Sequence, residues 1–164
     1  MTHQIIDNYL PEEVFKDLQS TIVWNQGFPW YFNSNVSGQQ KEVEGTYYAT
    51  HTAYHSCKPL SSFYQKMSPI VNSLTNFRAL IRVKVNFYPR TDELYEHGRH
   101  VDYDFENKGA ILSLNTCDGF TRLEDGTKVD SVANRLLLFD PSKKHNSSTT
   151  TGIEGRFNIN INYL

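Results

Sequence analysis

Between residues 81 and 88 the chain alternates, with Ile81, Val83, Val85 and Phe87 on one side and Arg82, Lys84, Asn86 and Tyr88 on the other. That period of two predicts a strand with one apolar face, ended by Pro89. Residues 155–163 repeat the pattern more strictly: Phe157, Ile159, Ile161 and Tyr163 oppose Arg156, Asn158, Asn160 and Asn162. Ala110 to Asn115 and Arg135 to Phe139 are short apolar runs that predict strands, the second stopped by Asp140-Pro141. Phe120 to Leu123 lies between the turn signals Asp118-Gly119 and Asp125-Gly126, which predicts a short hairpin. Val129 to Val132 predicts a further short strand.

The first half follows a different period. Val14, Leu18 and Ile22 recur every fourth residue, with Phe15 beside them, and Pro11, Glu12 and Glu13 favour a helix start. A helix is predicted over 11–23, and the stripe Leu60, Phe63, Tyr64, Met67, Val71 and Leu74 predicts a second over 59–76. Pro69 inside it predicts a kink or a break. Ile5, Ile6, Tyr9 and Leu10 form a short apolar segment that a strand would suit. In residues 28–56, aromatic stretches at Phe28 to Phe32 and Tyr47 to Tyr54 flank a polar connection from Asn33 to Gly45. Two strands and a mobile loop are expected there; the aromatics either pack into sheet and core or wall a substrate site. Helices first and many short strands afterwards predict a mainly β, α+β chain: a sandwich or barrel with the N-terminal helices on one outer face.

The polar faces of the two alternating strands carry chemistry. Three asparagines suit an exposed strand poorly, because Asn is depleted in strands and brings no solubilising charge. Turned inward, Asn158, Asn160 and Asn162 would hold a ligand or ordered water. Asn86 and Tyr88 present the same character, so both strands are expected to turn their polar faces into one pocket and their apolar faces toward the helices.

Composition adds bounds. A chain of 164 residues with 38% hydrophobic positions is long enough for one domain with a core and short for two. A net charge of −2 gives no electrostatic case for nucleic acid or an anionic membrane. No apolar run approaches a membrane span, and Met1 to Gln4 lacks a signal-peptide pattern, so a cytoplasmic protein is expected. Cys57 and Cys117 stand apart and read as reduced thiols, with one disulfide between them left open. Oligomeric state leaves no mark on the sequence.

One stretch concentrates candidate ligands: Glu96-His97-Gly98-Arg99-His100-Val101-Asp102. On an extended strand His100 and Asp102 face the same way. His145 follows 43 residues after Asp102, just beyond the apolar run 135–139, and Arg156 comes 11 residues later. With six His and nine Asp in the chain, an HxD pair is a near-chance event. Its weight comes from those partners. Two imidazoles and one carboxylate on one face of an octahedron leave three positions open, which suits Fe(II) in a non-haem oxygenase. His97, Gly98 and Arg99 read as rim and loop, and His3, His51 and His55 as unrelated to the site, His51 and His55 approaching it only if residues 46–56 fold over it.

At these residues the chain resembles the 2-oxoglutarate- and Fe(II)-dependent oxygenases, in their prolyl-hydroxylase-like branch. The resemblance is carried by Asn86-Phe87-Tyr88-Pro89, Arg99-His100-Val101-Asp102, Asp118-Gly119 with Glu124-Asp125-Gly126, Arg135 to Phe139, and Lys144-His145 with Arg156. It covers residues 81–164 closely; the first half matches in style, from Ile6-Asp7-Asn8-Tyr9-Leu10 into helices. Gly27-Phe28-Pro29-Trp30-Tyr31 and Asp125 to Val129 are similar to stretches in small stand-alone phage members, which would place the chain in a host cytoplasm. The resemblance implies a double-stranded β-helix (jelly-roll) barrel in one domain, 1–164. Residues 1–78 would supply helical support and substrate-side strands, and 79–164 the core strands with the metal site. It implies that His100, Asp102 and His145 hold Fe(II) and that Arg156 pairs with the distal carboxylate of the cosubstrate 2-oxoglutarate. Tyr88 matches a tyrosine that contacts the cosubstrate in some relatives, and Asn86 and Asn158 share its pocket face. Ser113 stands where some relatives place a second tyrosine, so a contact from that strand is in question. The implied activity is O2-dependent hydroxylation of a C–H bond, with succinate and carbon dioxide as coproducts. Asp102 favours hydroxylation over halogenation, where a small residue takes its place. The substrate would be a protein or peptide side chain, prolyl or otherwise, selected by residues 28–56 and 90–99. A free amino acid or other small molecule, and a non-catalytic barrel that only binds, are the alternatives; nucleic-acid demethylation has little support from the charge.

Overall fold

The structure, a computed structural model, describes residues 3–36, 47–152 and 154–164. In chain order the elements are β1 (Gln4–Ile6), α1 (Glu12–Ile22), β2 (Tyr31–Asn33), β3 (Tyr48–His55), β4 (Lys58–Pro59), α2 (Tyr64–Ser73), β5 (Leu80–Tyr88), β6 (Lys108–Ser113), β7 (Phe120–Arg122), β8 (Lys128–Asp130), β9 (Leu136–Phe139), β10 (Asn146–Ser147) and β11 (Arg156–Tyr163). The chain is mainly β, with antiparallel pairing throughout these strands. A large sheet runs β1-β9-β6-β11-β5-β3-β2, with β4 added beside β3, and a smaller sheet runs β10-β7-β8.

The alternating strands become the centre of the large sheet. β11 lies between β5 and β6, and its pairing with β5 sets Arg156 opposite Tyr88, Asn158 opposite Asn86, Asn160 opposite Lys84 and Asn162 opposite Arg82. Residues directly opposite share a face, so the polar residues form one ladder and the apolar residues another. Val83, Val85, Phe157, Ile159 and Ile161 join Leu18 and Ile22 of α1 and Met67, Ile70 and Val71 of α2 in the main core. Both helices therefore cover the apolar face, as the sequence predicts. The smaller sheet faces the other side. Its Leu123 and Val129 pack on Ile111, Leu137 and Phe139 of the large sheet.

Several boundaries move. The predicted helix over 59–76 begins only at Tyr64, because Lys58–Pro59 pairs with β3 and the Leu60 N–H bonds the Ala53 carbonyl at 2.9 Å. Pro69 does not break α2. A proline cannot bond the carbonyl four residues back, and here that carbonyl, of Gln65, accepts the Ser68 hydroxyl at 2.7 Å instead. The aromatics of 28–56 divide between their two readings. Phe28 and Trp30 pack in or against the core, Tyr48 lines a cleft, and Tyr31 and Phe32 face solvent. Most of the expected mobile loop, residues 37–46, lies outside the described residues. Cys57 and Cys117 are not paired, and no helix among the described residues is long and apolar enough to cross a membrane.

Candidate functional site

The polar ladder of β5 and β11 forms one wall of a narrow cleft of about 30 Å³. Lys84, Asn86, Tyr88, Asn158 and Asn160 come from the large sheet, Thr121 and Ser147 from the smaller one, and His100, Asp102 and His145 meet at one end. A wider hollow of about 350 Å³ lies beside Phe139, Lys143 and Lys144. It includes only His145 of the three, so the convergent chemistry belongs to the narrow cleft.

His100, Asp102 and His145 present one donor atom each, all within 4.8 Å of one another. Among the described residues they form the one such group. The HxD stretch is not the regular strand that the sequence predicts. His100 and His145 form an isolated antiparallel bridge in which each backbone N–H bonds the other's carbonyl at 2.9 Å. Asp102 is fixed separately, its N–H bonding the Pro141 carbonyl at 2.9 Å. The rings are oriented by backbone as well. His145 Nδ1 lies 2.9 Å from the Lys143 carbonyl and His100 Nδ1 3.3 Å from the Gly98 carbonyl. A carbonyl only accepts, so Nδ1 carries the proton, and in a neutral ring so held Nε2 keeps the lone pair. Burial first, and then neighbouring His145, lowers the pKa of His100 and favours that neutral form.

Asp102 is held from several sides. Burial opposes its charge, yet the Arg82 guanidinium, His145, and the Asn162 hydrogen bond together hold its pKa well below the carboxylate range. Arg82 Nη2 stands 3.1 Å from Oδ1, and Oδ2 accepts Asn160 Nδ2 at 3.1 Å and Asn162 Nδ2 at 2.9 Å. Arg82 Nε donates in turn to Asn162 Oδ1 at 3.1 Å. Asn160 and Asn162 thus work as donors that aim one carboxylate, a role that the alternation marks only as inward and polar.

At the other end, Arg156 is 1% exposed and ties the two sheets together. Its Nε donates to Ser131 Oγ at 2.7 Å, Nη1 to the Ser148 carbonyl at 3.2 Å and Nη2 to Thr121 Oγ1 at 2.9 Å. One N–H remains on each terminal nitrogen. Tyr88, 5.3 Å from the guanidinium carbon, and Thr121 both line the cleft in front of it. Asn86 Nδ2 donates to Asn158 Oδ1 at 2.9 Å, and Asn86 Oδ1 is buried with no hydrogen-bond partner among the described residues. Ser113 is buried opposite Asn158 and is not among the residues that line the cleft.

Three residues differ from their sequence reading. His97 is no rim residue: it is 7% exposed, stacks on Tyr88 at 5.3 Å and bonds Ser147 Oγ through Nδ1 at 2.9 Å. Arg82 and Lys84 appear in the sequence only as polar members of a strand, and periodicity cannot say that this side meets a cleft. His51 is core, 3% exposed, with Nδ1 2.9 Å from the Pro29 carbonyl.

No family model matches the sequence. No curated protein matches it. Solved structures do share the fold. A Trichoplax adhaerens prolyl hydroxylase, in complex with a peptide fragment of a hypoxia inducible factor oxygen degradation domain, is 18% identical, with a TM-score of 0.65 over 99% of this chain and 83% of that one. A Pseudomonas putida prolyl-4-hydroxylase is 18% identical, with a TM-score of 0.63 over 98% and 91%. A viral collagen prolyl hydroxylase from Paramecium Bursaria Chlorella virus-1, in complex with 2-oxoglutarate, is 12% identical, with a TM-score of 0.61 over 100% and 97%. At these identities the likeness is one of fold.

Proposed function

We propose that this chain is a 2-oxoglutarate- and Fe(II)-dependent dioxygenase that hydroxylates a C–H bond. The observation that carries the reading is the convergence of two imidazole nitrogens and one carboxylate within 4.8 Å, at the end of a polar cleft. That donor set fits Fe(II), and His100, Asp102 and His145 would hold it. Its fold likeness to prolyl hydroxylases supports the finer architecture: one jelly-roll domain over 1–164, in which 1–78 supports the core strands of 79–164. With metal and 2-oxoglutarate bound, the chemistry supplied is dioxygen activation and C–H oxidation, with succinate and carbon dioxide as coproducts.

The protein's own part is binding, orientation and exclusion of water. The backbone bridge sets the spacing of His100 and His145, and Arg82, Asn160 and Asn162 fix the rotamer of Asp102. Arg156 keeps one free N–H on each terminal nitrogen, a fork that suits the distal carboxylate of the cosubstrate. Tyr88, Asn86 and Asn158 would line its path, and Asn86 Oδ1 stands ready for a donor or an ordered water. Ser113 is the weakest candidate: it shares the face of Asn158 but is not among the residues that line the cleft. The substrate favoured by the fold likeness is a protein or peptide side chain, met in the cytoplasm. The test is direct. Under anaerobic conditions Fe(II) and 2-oxoglutarate should give the folded protein a visible charge-transfer band, and Asp102→Ala and His145→Ala should each abolish it. A folded wild type without the band overturns the reading. Peptide-stimulated succinate release then separates a peptide hydroxylase from an oxygenase of free amino acids.

A further inference from the structure

Among the described residues Lys84 is a cation with no anion in contact. It lies on the floor of the cleft, opposite Asn160, one rung from the Arg82–Asn162 pair that holds Asp102. Its ammonium makes no hydrogen bond and no ion pair within 4 Å among the described residues. It stands over the Tyr48 ring, 5.9 Å from its centre. Asp102 does not serve, because its oxygens already meet Arg82, Asn160 and Asn162. Buried charges are normally paired, since leaving water without a partner is costly.

The balance of the whole cleft points the same way. Among the described residues Arg82 and Lys84 stand around one carboxylate, that of Asp102, and Arg156 stands at the far end, so two positive charges are in surplus. A divalent metal adds two and a dicarboxylate cosubstrate removes two, so the surplus persists. The cosubstrate has its own cation in Arg156, which pairs with the rung of Tyr88. That rung lies four residues beyond Lys84, about 13 Å along the strand. Lys84 is therefore available to a different anion at the metal end.

We propose that Lys84 is the anchor for a carboxylate carried by the substrate. The assignment rests on the oxygenase reading of the cleft and narrows it: the oxidised molecule presents an acid close to its reacting C–H. An acidic side chain of a peptide and a free amino or hydroxy acid offer the same group. Asn160 Oδ1, buried on the rung of Lys84 with no partner among the described residues, adds an acceptor for an N–H or O–H on that substrate.

Calorimetry on protein loaded with Mn(II) and 2-oxoglutarate tests this without turnover. Propanoate should bind at least tenfold more tightly than propanamide. Lys84→Met should bring the two within twofold, while Lys84→Arg keeps the preference. Affinity for 2-oxoglutarate should stay within threefold in both variants, and circular dichroism and melting show that they are folded. An end-blocked glutamyl tripeptide and free glutamate, each compared with its amide, then tell a peptide acid from a small one. Equal binding of propanoate and propanamide by the wild type overturns the proposal, as does a preference that survives Lys84→Met. A tenfold loss of 2-oxoglutarate affinity in Lys84→Met would give Lys84 to the cosubstrate instead. A wild type that takes up neither Mn(II) nor 2-oxoglutarate is a different pattern, and it overturns the oxygenase reading itself.

Discussion

Replacing Lys84 by Met should make the metal-free protein more stable. Loss of hydration pulls the Lys84 pKa from its ordinary 10.5 to about 8; Arg82 pushes it further down and Asp102 opposes. A drop of that size sets about 3 kcal/mol against the charged form. The side chain is partly reached by water, so about 2 kcal/mol is the expected effect at neutral pH. Met fills a similar volume and carries no charge to desolvate. Below pH 8 both folded and unfolded chains carry the lysine proton, and the wild type bears the full penalty. Between 8 and 10.5 the unfolded chain still binds a proton that the folded chain has released, so wild-type stability rises with pH. The advantage of the variant should therefore be greatest at pH 7 and shrink toward zero near pH 10.5. Urea unfolding of both proteins at the two pH values measures it. With a slope of about 2 kcal/mol per M, the midpoint should rise by about 1 M at pH 7. Taking the difference between variants cancels other groups that titrate in the same range. A variant less stable at pH 7, or an advantage unchanged at high pH, would refute the reasoning.

Three further outcomes are expected. Asp102→Ala should destabilise the metal-free chain by about 3 kcal/mol, read from the same urea midpoints, because Arg82 is left buried beside unpaired asparagine donors. Since the Asp102 pKa is lowered on folding, the stability it contributes is present above the usual carboxylate pKa and lost as pH falls below it; the Ala variant should show a shallower acid melt. Gly155→Ala should cost about 3 kcal/mol in thermal or urea unfolding, since Gly155 has φ +81° and an added Cβ would meet the Phe87 ring at 2.5 Å and the Tyr88 carbonyl at 2.9 Å.

The alternation of β5 and β11 made the centre of the large sheet legible, because each face has a single partner: helices on one side, cleft on the other. The short apolar run at β9 was equally plain. β4 and β10, two residues each, left no trace. Their pairing depends on strands elsewhere in the chain, and two residues carry no period. The same holds for the site. The spacing of His100, Asp102 and His145 is visible, whereas the device that joins them is a backbone bridge, to which side-chain type contributes nothing. His97 was misread because only His100 and Asp102 share the strand face that a metal needs, which left His97 to the rim; stacking on Tyr88 is a long-range contact. Lys84 and Arg82 look like solvated strand positions until the smaller sheet is seen to cover them.

The two-faced strand pair also sets how such a chain can diversify. Each residue inserted or deleted within β5 or β11 would exchange the faces beyond it, sending Phe157, Ile159 and Ile161 into the cleft and asparagines into the core. Length changes there are forbidden, whereas substitutions at 82, 84, 86, 158 and 160 leave the helix-facing core untouched. Lineages built on this pair would drift in what they bind through point changes on one face, and would take their insertions in the segment between Pro89 and His97.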